Sequence, residues 1–377
     1  MNRILITGGA GFIGSHLALR LLKLNYRVTV LDNLSTQIHG ERPEQSALYR
    51  SIADRVNFIR GDVTCRKDLE LAISGQNIIV HFAADTGTGQ SMYQIDRYTR
   101  VNIGGTSLLL DILANMQHDV TRVVLASSRA VYGEGKYLSK EFGVVYPKHR
   151  SASDMTAGDF AVKYPGCLEP LTPTATDEES KLHPSSVYGI TKQAQEQLVM
   201  TVCPSIGIAP VVLRYQNVYG PGQSLSNPYT GILSIFSNLI MGGKPINVFE
   251  DGTESRDFVF VDDTVEATVL AIVRKEAAGE VFNVGSGEPI SVLAVANKLL
   301  EKLSGRSAVT VTGNFRIGDI RHNYADLKKV RTLLGFSPAY SFDSGLSKFC
   351  EWAHSVGALG DNYELSLREM KSKGLLK

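Results

Sequence analysis

The segment from Thr7 to Gly14, TGGAGFIG, constrains the fold of this chain more than any other stretch. It follows a short β-branched run, Arg3–Thr7, and precedes an amphipathic stretch over residues 13–24. Gly8, Gly11 and Gly14 allow a sharp turn, the close approach of a pyrophosphate, and tight packing of helix on strand. We therefore predict a dinucleotide-binding turn, with the phosphates at the N-terminus of the helix.

Strand-like and helical patterns alternate along the first part of the chain. Further β-branched runs lie at 27–31, Asn57–Arg60, 77–82 and 122–126, and a second amphipathic stretch covers 102–116. Continuous apolar strands separated by helices are typical of a parallel sheet that is covered on both faces. This pattern predicts an α/β fold with a doubly wound Rossmann parallel sheet.

The composition of the sequence changes after residue 218, where Gly and Pro cluster. We predict an NAD-binding domain at 1–218, to which 258–285 returns, and a second, smaller mixed α/β substrate domain at 219–257 and 286–377. Within the first domain, residues 134–186 show no clear period and are predicted to form a long insertion, which is usually functional.

Charge and cysteine usage exclude several classes of partner. Lys plus Arg total 39 against 38 acidic residues, a net charge of +1, so we expect neither nucleic acid nor a membrane surface as a partner. The start of the chain does not resemble a secretion signal, and no apolar run is long enough to span a membrane. Four dispersed cysteines (Cys65, Cys167, Cys203 and Cys350) favour a cytoplasmic protein without disulfides or a metal.

An acidic residue near the end of the second strand predicts which dinucleotide is bound. The carboxylate of Asp32, which lies 18 residues after Gly14, can accept hydrogen bonds from a ribose 2′-hydroxyl, whereas a 2′-phosphate would meet like charge. NAD is therefore favoured over NADP. Asp62 and Val63, at the end of the third strand, are predicted to lie near the adenine.

Tyr188 and Lys192 stand four residues apart at the predicted start of a helix and so share one face of it. A neighbouring ammonium, together with the charge of NAD⁺, favours phenolate and predicts a lowered pKa for Tyr188. Ser127 and Ser128 end the fifth strand, at the sheet edge where open α/β folds bind their ligands. We therefore predict that Ser128, Tyr188 and Lys192 are catalytic.

These motifs together resemble those of the extended short-chain dehydrogenase/reductase family, in particular its nucleotide-sugar epimerases and dehydratases. The resemblance covers residues 1 to about 352, through TGGAGFIGSHL, LDNLS, GDV, HFAA, VNIGGT, SSRAVYG, YGITK, LRYQNVYGPGQ, RDFVFVDD, FNVGSGEPISV and RIGDIRH. It implies NAD as cofactor, a nucleotide-diphosphate sugar as substrate, and a homodimer that pairs the helices starting near Asn102 and Tyr188.

The resemblance also implies two sets of binding residues. Those expected at the cofactor are Gly8, Gly11, Phe12, Ile13, Gly14, Asp32, Asn33, Asp62, Val63, Ala83, Ala84, Asn102, Ser127, Tyr188 and Lys192. Those expected at the substrate are Thr86, Gln90, Ser91, Arg129, Asn217, Arg256, Arg316 and Arg321. Two arginines suit a diphosphate, because each guanidinium can bind phosphate oxygens bidentately.

The residues after Ser128 distinguish reactions within the family. In its 4,6-dehydratases an Asp and a Glu follow the strand-end Ser or Thr, whereas this chain has Arg129 and Ala130, which cannot serve as acid and base. Dehydratase chemistry is therefore disfavoured, and a 4-epimerase needs only Ser128, Tyr188, Lys192 and NAD.

The segment TGTGQSM, the GDIRH motif and the long insertion are similar to the dTDP-L-rhamnose 4-epimerase group, which implies conversion of dTDP-L-rhamnose to dTDP-6-deoxy-L-talose. A UDP-hexose or UDP-GlcNAc 4-epimerase and an NDP-4-keto-sugar reductase stay open as alternatives. A non-catalytic NAD sensor is disfavoured, because all three predicted catalytic residues are present.

Overall fold

The computed structural model describes residues 2–225, 227, 229, 231–359 and 363–377. Its strands are β1 (Arg3–Thr7), β2 (Arg27–Asp32), β3 (Asn57–Arg60), β4 (Ile78–His81), β5 (Arg122–Ser128), β6 (Tyr137–Ser139), β7 (Gly143–Val145), β8 (Thr172–Pro173), β9 (Ala209–Tyr215), β10 (Asn217–Tyr219), β11 (Ile246–Val248), β12 (Ser255–Phe260), β13 (Glu280–Val284), β14 (Pro289–Ser291), β15 (Val309–Val311) and β16 (His322–Asn323).

The α-helices are α1 (Phe12–Lys23), α2 (Thr36–His39), α3 (Ala47–Ile52), α4 (Arg66–Ile73), α5 (Thr88–Ser91), α6 (Ile95–Tyr98), α7 (Gly105–Asn115), α8 (Ala152–Thr156), α9 (Val187–Ser205), α10 (Ile232–Met241), α11 (Val261–Val273), α12 (Val292–Lys302), α13 (Lys328–Leu334), α14 (Phe342–Val356) and α15 (Tyr363–Ser372). A π-helical segment at Thr99–Gly104 leads into α7, and short 3₁₀ turns lie at Pro43–Gln45, Arg129–Tyr132 and Lys275–Ala277.

Seven parallel strands form the central sheet of the described structure, in the order β13-β9-β5-β4-β1-β2-β3. Side chains of α1 and α11 join the apolar cluster on one face, and those of α4, α7 and α9 join the cluster on the other. Because both faces are covered, β1, β2 and β4 are buried along almost their whole length rather than on alternate residues, whereas the edge strand β3 is only partly buried. The doubly wound α/β fold predicted from the sequence is confirmed.

The predicted helix over 102–116 differs from its predicted limits by more than one residue: it is π-helical up to Gly104 and α-helical only from Gly105. The fifth strand continues past the β-branched run at 122–126 and ends at Ser128, because Ser127 and Ser128 continue the ladder with β9, opposite Arg214 and Tyr215. The polar end of the strand is thus part of the sheet.

A smaller mixed α/β part follows the central sheet. Strands β10, β12, β14 and β16 form one small sheet, and β11 pairs with β15. Helices α10, α12 and α14 pack on this part through the same apolar cluster that covers α1. The predicted boundaries at 218/219 and 257/258 fall inside β10 and β12, and the division into two domains at those residues stays a prediction.

The segment 134–186 folds into a small antiparallel sheet, β7-β6-β8, and the short helix α8. Buried charges hold it against the smaller part: Arg150 donates to both carboxylate oxygens of Glu250, at 2.6 and 2.8 Å, and the amide of Arg321 donates to Glu134 at 2.8 Å. A small buried cluster of Met155, Phe160 and Phe315 adds apolar contacts to these ion pairs. The strands and the helix of this segment have at most five residues each, which is too short to produce a clear period in the sequence.

Two properties of the described residues bear on the excluded partners. None of their helices combines the length and the apolar character that crossing a bilayer requires. Nor do these residues contain a group of three or more His, Cys, Asp or Glu side chains arranged to hold a metal ion.

Candidate active site

A cavity of about 750 Å³ runs along the carboxyl ends of the central strands and into the smaller part of the molecule. Parallel strands place their carboxyl ends at one edge of a sheet, so loops that are distant in sequence meet there. The predicted site residues that line this cavity are Gly8, Gly11, Phe12, Ile13, Gly14, Asp32, Asn33, Asp62, Val63, Ala83, Ala84, Thr86, Ser127, Ser128, Arg129, Tyr188, Lys192, Asn217, Arg256 and Arg316.

The glycine turn between β1 and α1 leaves room only for backbone. Gly8 has a φ of +68°, and a Cβ added there would lie 2.7 Å from the Ala83 nitrogen. A Cβ on Gly14 would lie 2.5 Å from the Gly8 oxygen, so helix and turn are in direct contact. The first turn of α1 thus faces the cavity with free amide groups, an arrangement that fits the pyrophosphate of a dinucleotide.

Asp32 ends β2 beside this turn, and its two carboxylate oxygens accept hydrogen bonds from the amides of Ala10 and Leu34, at 2.9 and 2.8 Å. Burial raises the pKa of Asp32, while these two amides and the nearby His39 act in the opposite direction. Asn33 donates to Asp62 at 2.9 Å, which joins the ends of β2 and β3. The resulting acidic edge fits a ribose with free hydroxyl groups.

Helix α9 carries Tyr188 and Lys192 in its first turns, and Ser186 caps it by accepting a hydrogen bond from the Gly189 amide at 3.1 Å. The Lys192 ammonium donates to the Ala126 carbonyl at 2.8 Å, just before the two serines of β5. Burial lowers the pKa of Lys192 to about 7, and the Glu196 carboxylate opposes this shift. The helix therefore holds the ammonium at the end of β5.

Burial raises the pKa of Tyr188 in the chain alone, and the groups that favour the phenolate are a hydrogen bond from Ser128 and the charge of Arg129. Desolvation of the phenol outweighs these two groups. The lowered pKa that we predict from Lys192 together with the charge of NAD⁺ stays a prediction.

Arg129 occupies the position directly after Ser128 and faces the cavity. Its Nε donates to the side-chain oxygen of Asn217 at 2.8 Å, so two of the predicted substrate-binding residues are joined. Burial and the charge of Arg256 lower the pKa of Arg129 to about 10, which leaves the side chain cationic at neutral pH. A fixed cation thus stands beside the phenol of Tyr188.

Arg256 and Arg316 also line the cavity. The Arg256 guanidinium is held by the carbonyls of Ser255, Ile320 and Arg321, at 2.7 to 2.9 Å, and by Asp319 at 3.1 Å. Arg316 lies over the ring of Phe249, with 5.0 Å between its guanidinium carbon and the ring centroid. Burial would raise the pKa of Asp319, but the charges of Arg256, Arg316 and Arg129 lower it.

Two predicted residues lie behind the cavity wall rather than in it. Asn102, expected at the cofactor, accepts from the Asp85 amide at 2.8 Å and donates to Thr191 on α9 at 2.9 Å. Ser91, expected at the substrate, accepts from the Tyr188 amide at 3.0 Å. Both are buried, and both position α9 rather than line the cavity.

Gln90 and Arg321, also expected at the substrate, do not line the cavity either. Gln90 is buried and exchanges hydrogen bonds with Gln37. Arg321 is buried in ion pairs with Glu250, at 2.8 Å, and with Asp251, at 2.5 Å. A side chain whose charge is neutralised inside the protein in this way does not reach a ligand.

The sequence reasoning missed a buried network behind helix α9. Glu196 accepts hydrogen bonds from Ser127 and from Arg214, whose Nη2 lies 2.7 Å from a Glu196 oxygen. The sequence spacing could have revealed this network, because Glu196 follows Lys192 by four residues and lies on the same face of the helix. Tyr363 and Met370 of α15 also line the cavity, and no motif in the sequence indicates them.

Comparison with known proteins agrees with this geometry. The model of the NAD dependent epimerase/dehydratase family matches residues 4–152 and 162–285. The chain belongs to this family. It is 38% identical over 353 residues to a dTDP-L-rhamnose 4-epimerase of Burkholderia thailandensis, covering 93% of this chain and 94% of that protein.

Solved structures of two epimerases are also similar. One is a UDP-glucose 4-epimerase of Thermotoga maritima with UDP-glucose, 28% identical with a TM-score of 0.75. The other is a UDP-glucuronic acid 4-epimerase of Bacillus cereus with UDP-glucuronic acid and NAD, 27% identical with a TM-score of 0.74. Each alignment covers 94% of this chain and 99% of the other. The predicted family is confirmed, and with it NAD as the cofactor on which this family of nucleotide-sugar enzymes depends.

Proposed function

We propose that this chain is an NAD-dependent nucleotide-sugar 4-epimerase, an isomerase that oxidises C4 of the sugar transiently. One observation carries the proposal: Ser128, Tyr188 and Lys192 line one cavity, while Arg129 and Ala130 stand where the dehydratases of the family have an acid and a base. With the redox groups present and no acid or base at positions 129 and 130, hydride transfer is the chemistry that these side chains support.

The residues of the chain then have distinct roles at the sugar. Tyr188 accepts the O4 proton as the C4 hydride departs, and Ser128 donates a hydrogen bond to the same oxygen. Lys192 and Arg129 supply the positive charge that stabilises the phenolate of Tyr188. When bound, NAD supplies the acceptor and then the donor of the hydride.

Inversion requires the resulting 4-keto sugar to present its other face before the hydride and the proton return. Tyr188 gives the proton back to O4 in that second step. Arg129 uses Nε on Asn217, and no hydrogen bond within the described residues uses its two terminal nitrogens. Those nitrogens can hold a sugar oxygen in either orientation of the ring.

The proposed substrate is dTDP-L-rhamnose, with dTDP-6-deoxy-L-talose as product. The relative from Burkholderia thailandensis supports this choice, since its alignment covers 93% of the chain. Arg256 and Arg316, which line the same cavity as Tyr188, are proposed to hold the diphosphate. The proposed division of the chain has an NAD-binding domain, residues 1–218 with 258–285, and a substrate domain formed by 219–257 and 286–377.

The test uses dTDP-L-rhamnose deuterated at C4, incubated with purified protein and no added cofactor. The expected result is inversion at C4 with the deuterium retained, because both transfers use one bound NAD. Deuterium lost to solvent, or a 4-keto-6-deoxy product, would end the proposal. Dependence on added NADH would indicate the reductase, and reaction only with UDP-sugars would replace the substrate but keep the mechanism.

We also propose that the protein is a homodimer with twofold symmetry, the commonest arrangement of soluble oligomers. Helices α7 and α9 pack side by side on one face of the central sheet, and Ile190 of α9 is 52% exposed although it is apolar. Pairing of these two helices with their twofold mates would cover that side chain. Sedimentation at micromolar concentration tests this, and a monomer alone would refute it.

A further inference from the structure

The C-terminal helix α15 forms part of the cavity. Tyr363 and Met370 both line it, and their side chains are almost fully buried. Met370 abuts the short helix α5: its sulfur lies 3.3 Å from the position that a Cβ would occupy on Gly89. Ser91 ends α5 and accepts a hydrogen bond from the Tyr188 amide in the first turn of α9. Helix α15 thus contacts the element that holds the start of α9.

A carboxylate on the same helix ties two tyrosines together. Glu369 accepts hydrogen bonds from the phenol of Tyr229 at 2.6 Å and from that of Tyr93 at 3.1 Å. The two phenol oxygens lie 2.9 Å apart. Burial and this shared carboxylate raise the pKa of both tyrosines, so both stay protonated and act as donors. Hydrogen bonds to a charged acceptor are among the stronger ones in proteins.

The chain after α15 is fixed to the opposite side of the cavity. Phe315 and Lys377 exchange backbone hydrogen bonds of 2.9 and 3.0 Å, and the Ile317 amide donates to Leu375 at 3.0 Å. Arg316, which lines the cavity, lies between these two pairs. Residues 363–377 therefore form a strap that runs from helix α5, beside α9, to the strand-like segment that carries Arg316.

We propose that this strap is a wall of the sugar pocket, in which Tyr363 and Met370 contact the bound nucleotide sugar and Glu369 is a positioning residue that holds the wall closed. The proposal rests on the proposed function. It gives the strap a task that a 4-epimerase needs: the 4-keto sugar must turn within the pocket without leaving it.

The consequence of an open strap follows from the balance of the first half-reaction. Oxidation moves the C4 hydride to NAD and the O4 proton to Tyr188, which leaves a 4-keto sugar. If that sugar leaves before the hydride returns, one cofactor per site stays reduced and one keto sugar appears in solution. No other oxidant is required, and the enzyme stops after that event.

The experiment compares Glu369→Gln with Glu364→Gln in the NAD-loaded protein. Glu364 lies on the same helix but is exposed, which makes its substitution a charge-matched control. For Glu369→Gln we expect the KM for dTDP-L-rhamnose to rise about tenfold, because hydrogen bonds to a charged acceptor are weakened. We also expect reduced cofactor and free 4-keto sugar to accumulate, while Glu364→Gln behaves as the wild type.

A second variant and a binding measurement separate this proposal from the proposed function. Met370→Ala shortens a side chain that lines the cavity and leaves the hydrogen bonds of Glu369 in place. It should weaken the binding of dTDP-L-rhamnose, measured by calorimetry. Weaker binding in both variants supports the strap, whether or not the wild type converts the sugar. A wild type that binds the sugar without converting it would reject the proposed function and leave the strap standing. Unchanged binding and KM in both, or an equal effect of Glu364→Gln, would overturn the strap.

Discussion

The buried ion pair of Glu196 and Arg214 behind helix α9 permits a quantitative prediction for Glu196→Gln. Glu196 and Arg214 are each only 5% exposed, and three hydrogen bonds of 2.7 to 3.3 Å join them. Glutamine is nearly isosteric, but it is neutral and turns an amide group towards a guanidinium that can only donate. Arg214 would keep its bonds to Tyr132 and to the Glu178 carbonyl, yet its charge would be buried without a counter-ion.

Breaking such a pair costs about 3–5 kcal/mol, and the two bonds that Arg214 keeps place the expected loss near the lower figure, about 3 kcal/mol. Urea unfolding of the NAD-loaded protein at neutral pH measures it, with an unchanged m-value as the condition for comparison. Glu266→Gln is the matched control. It removes the partner of Arg20, but both side chains are more than a third exposed, so the loss should be about 1 kcal/mol or less.

The same substitution should alter the pH dependence of turnover. The Glu196 carboxylate opposes the lowering of the Lys192 pKa, so without it that pKa falls below about 7. The ammonium is then lost at a lower pH, and the alkaline limb of the rate profile moves to lower pH. If Glu196→Gln loses no more stability than Glu266→Gln and leaves the alkaline limb in place, the network has neither of the two roles given to it.

Four further substitutions test the site. Tyr188→Phe should keep its bound NAD but lose about 10²–10⁴-fold in turnover, and an active Tyr188→Phe enzyme would contradict the assignment. Lys192→Ala should move the acidic limb of the pH–rate profile to higher pH, because phenolate then forms less readily. Asp32→Ala should weaken the preference for NAD over NADP, measured by the nucleotide released on denaturation and by binding of each. Burial raises the pKa of Glu254 from 4.5 to about 7. Between these pH values the folded state binds more protons than the unfolded state, so the free energy of unfolding falls as the pH rises. Glu254→Gln should remove that slope, about 3 kcal/mol over the interval, in urea unfolding measured at several pH values.

The sequence predicted the site residues best where backbone geometry alone decides their position. Gly8 and Gly14 allow a turn in which any side chain would collide with neighbouring backbone, so their spacing indicates the turn directly. Asp32 and Ser128 end strands of one parallel sheet, and the carboxyl ends of such strands must meet at one edge. Knowing the strands was therefore enough to place these residues around one cavity.

Residues whose roles depend on side-chain partners were not predictable in the same way. Ser91 and Arg321 lie close to cavity-lining residues in sequence, but Ser91 bonds the Tyr188 amide and Arg321 is neutralised by Glu250 and Asp251. These acidic partners lie about seventy residues from Arg321, and the path of the chain that joins them is irregular. Periodicity carries no information about such a contact.

Arg129 influences the charges of residues outside the motif in which it lies. It bonds Asn217, and its charge helps to lower the pKa of Asp319 at the base of Arg256. An aspartate at position 129 would add an anion close to Asp319 and remove that support, which would raise the pKa of both carboxyl groups. Installing an acidic pair at 129 and 130 would therefore disturb the charge balance around Arg256 before it provided an acid for elimination. The proposed preference for hydride transfer would therefore depend on all the charged residues around Arg129 and Arg256, and the residue after Ser128 is the one that the sequence motif reveals.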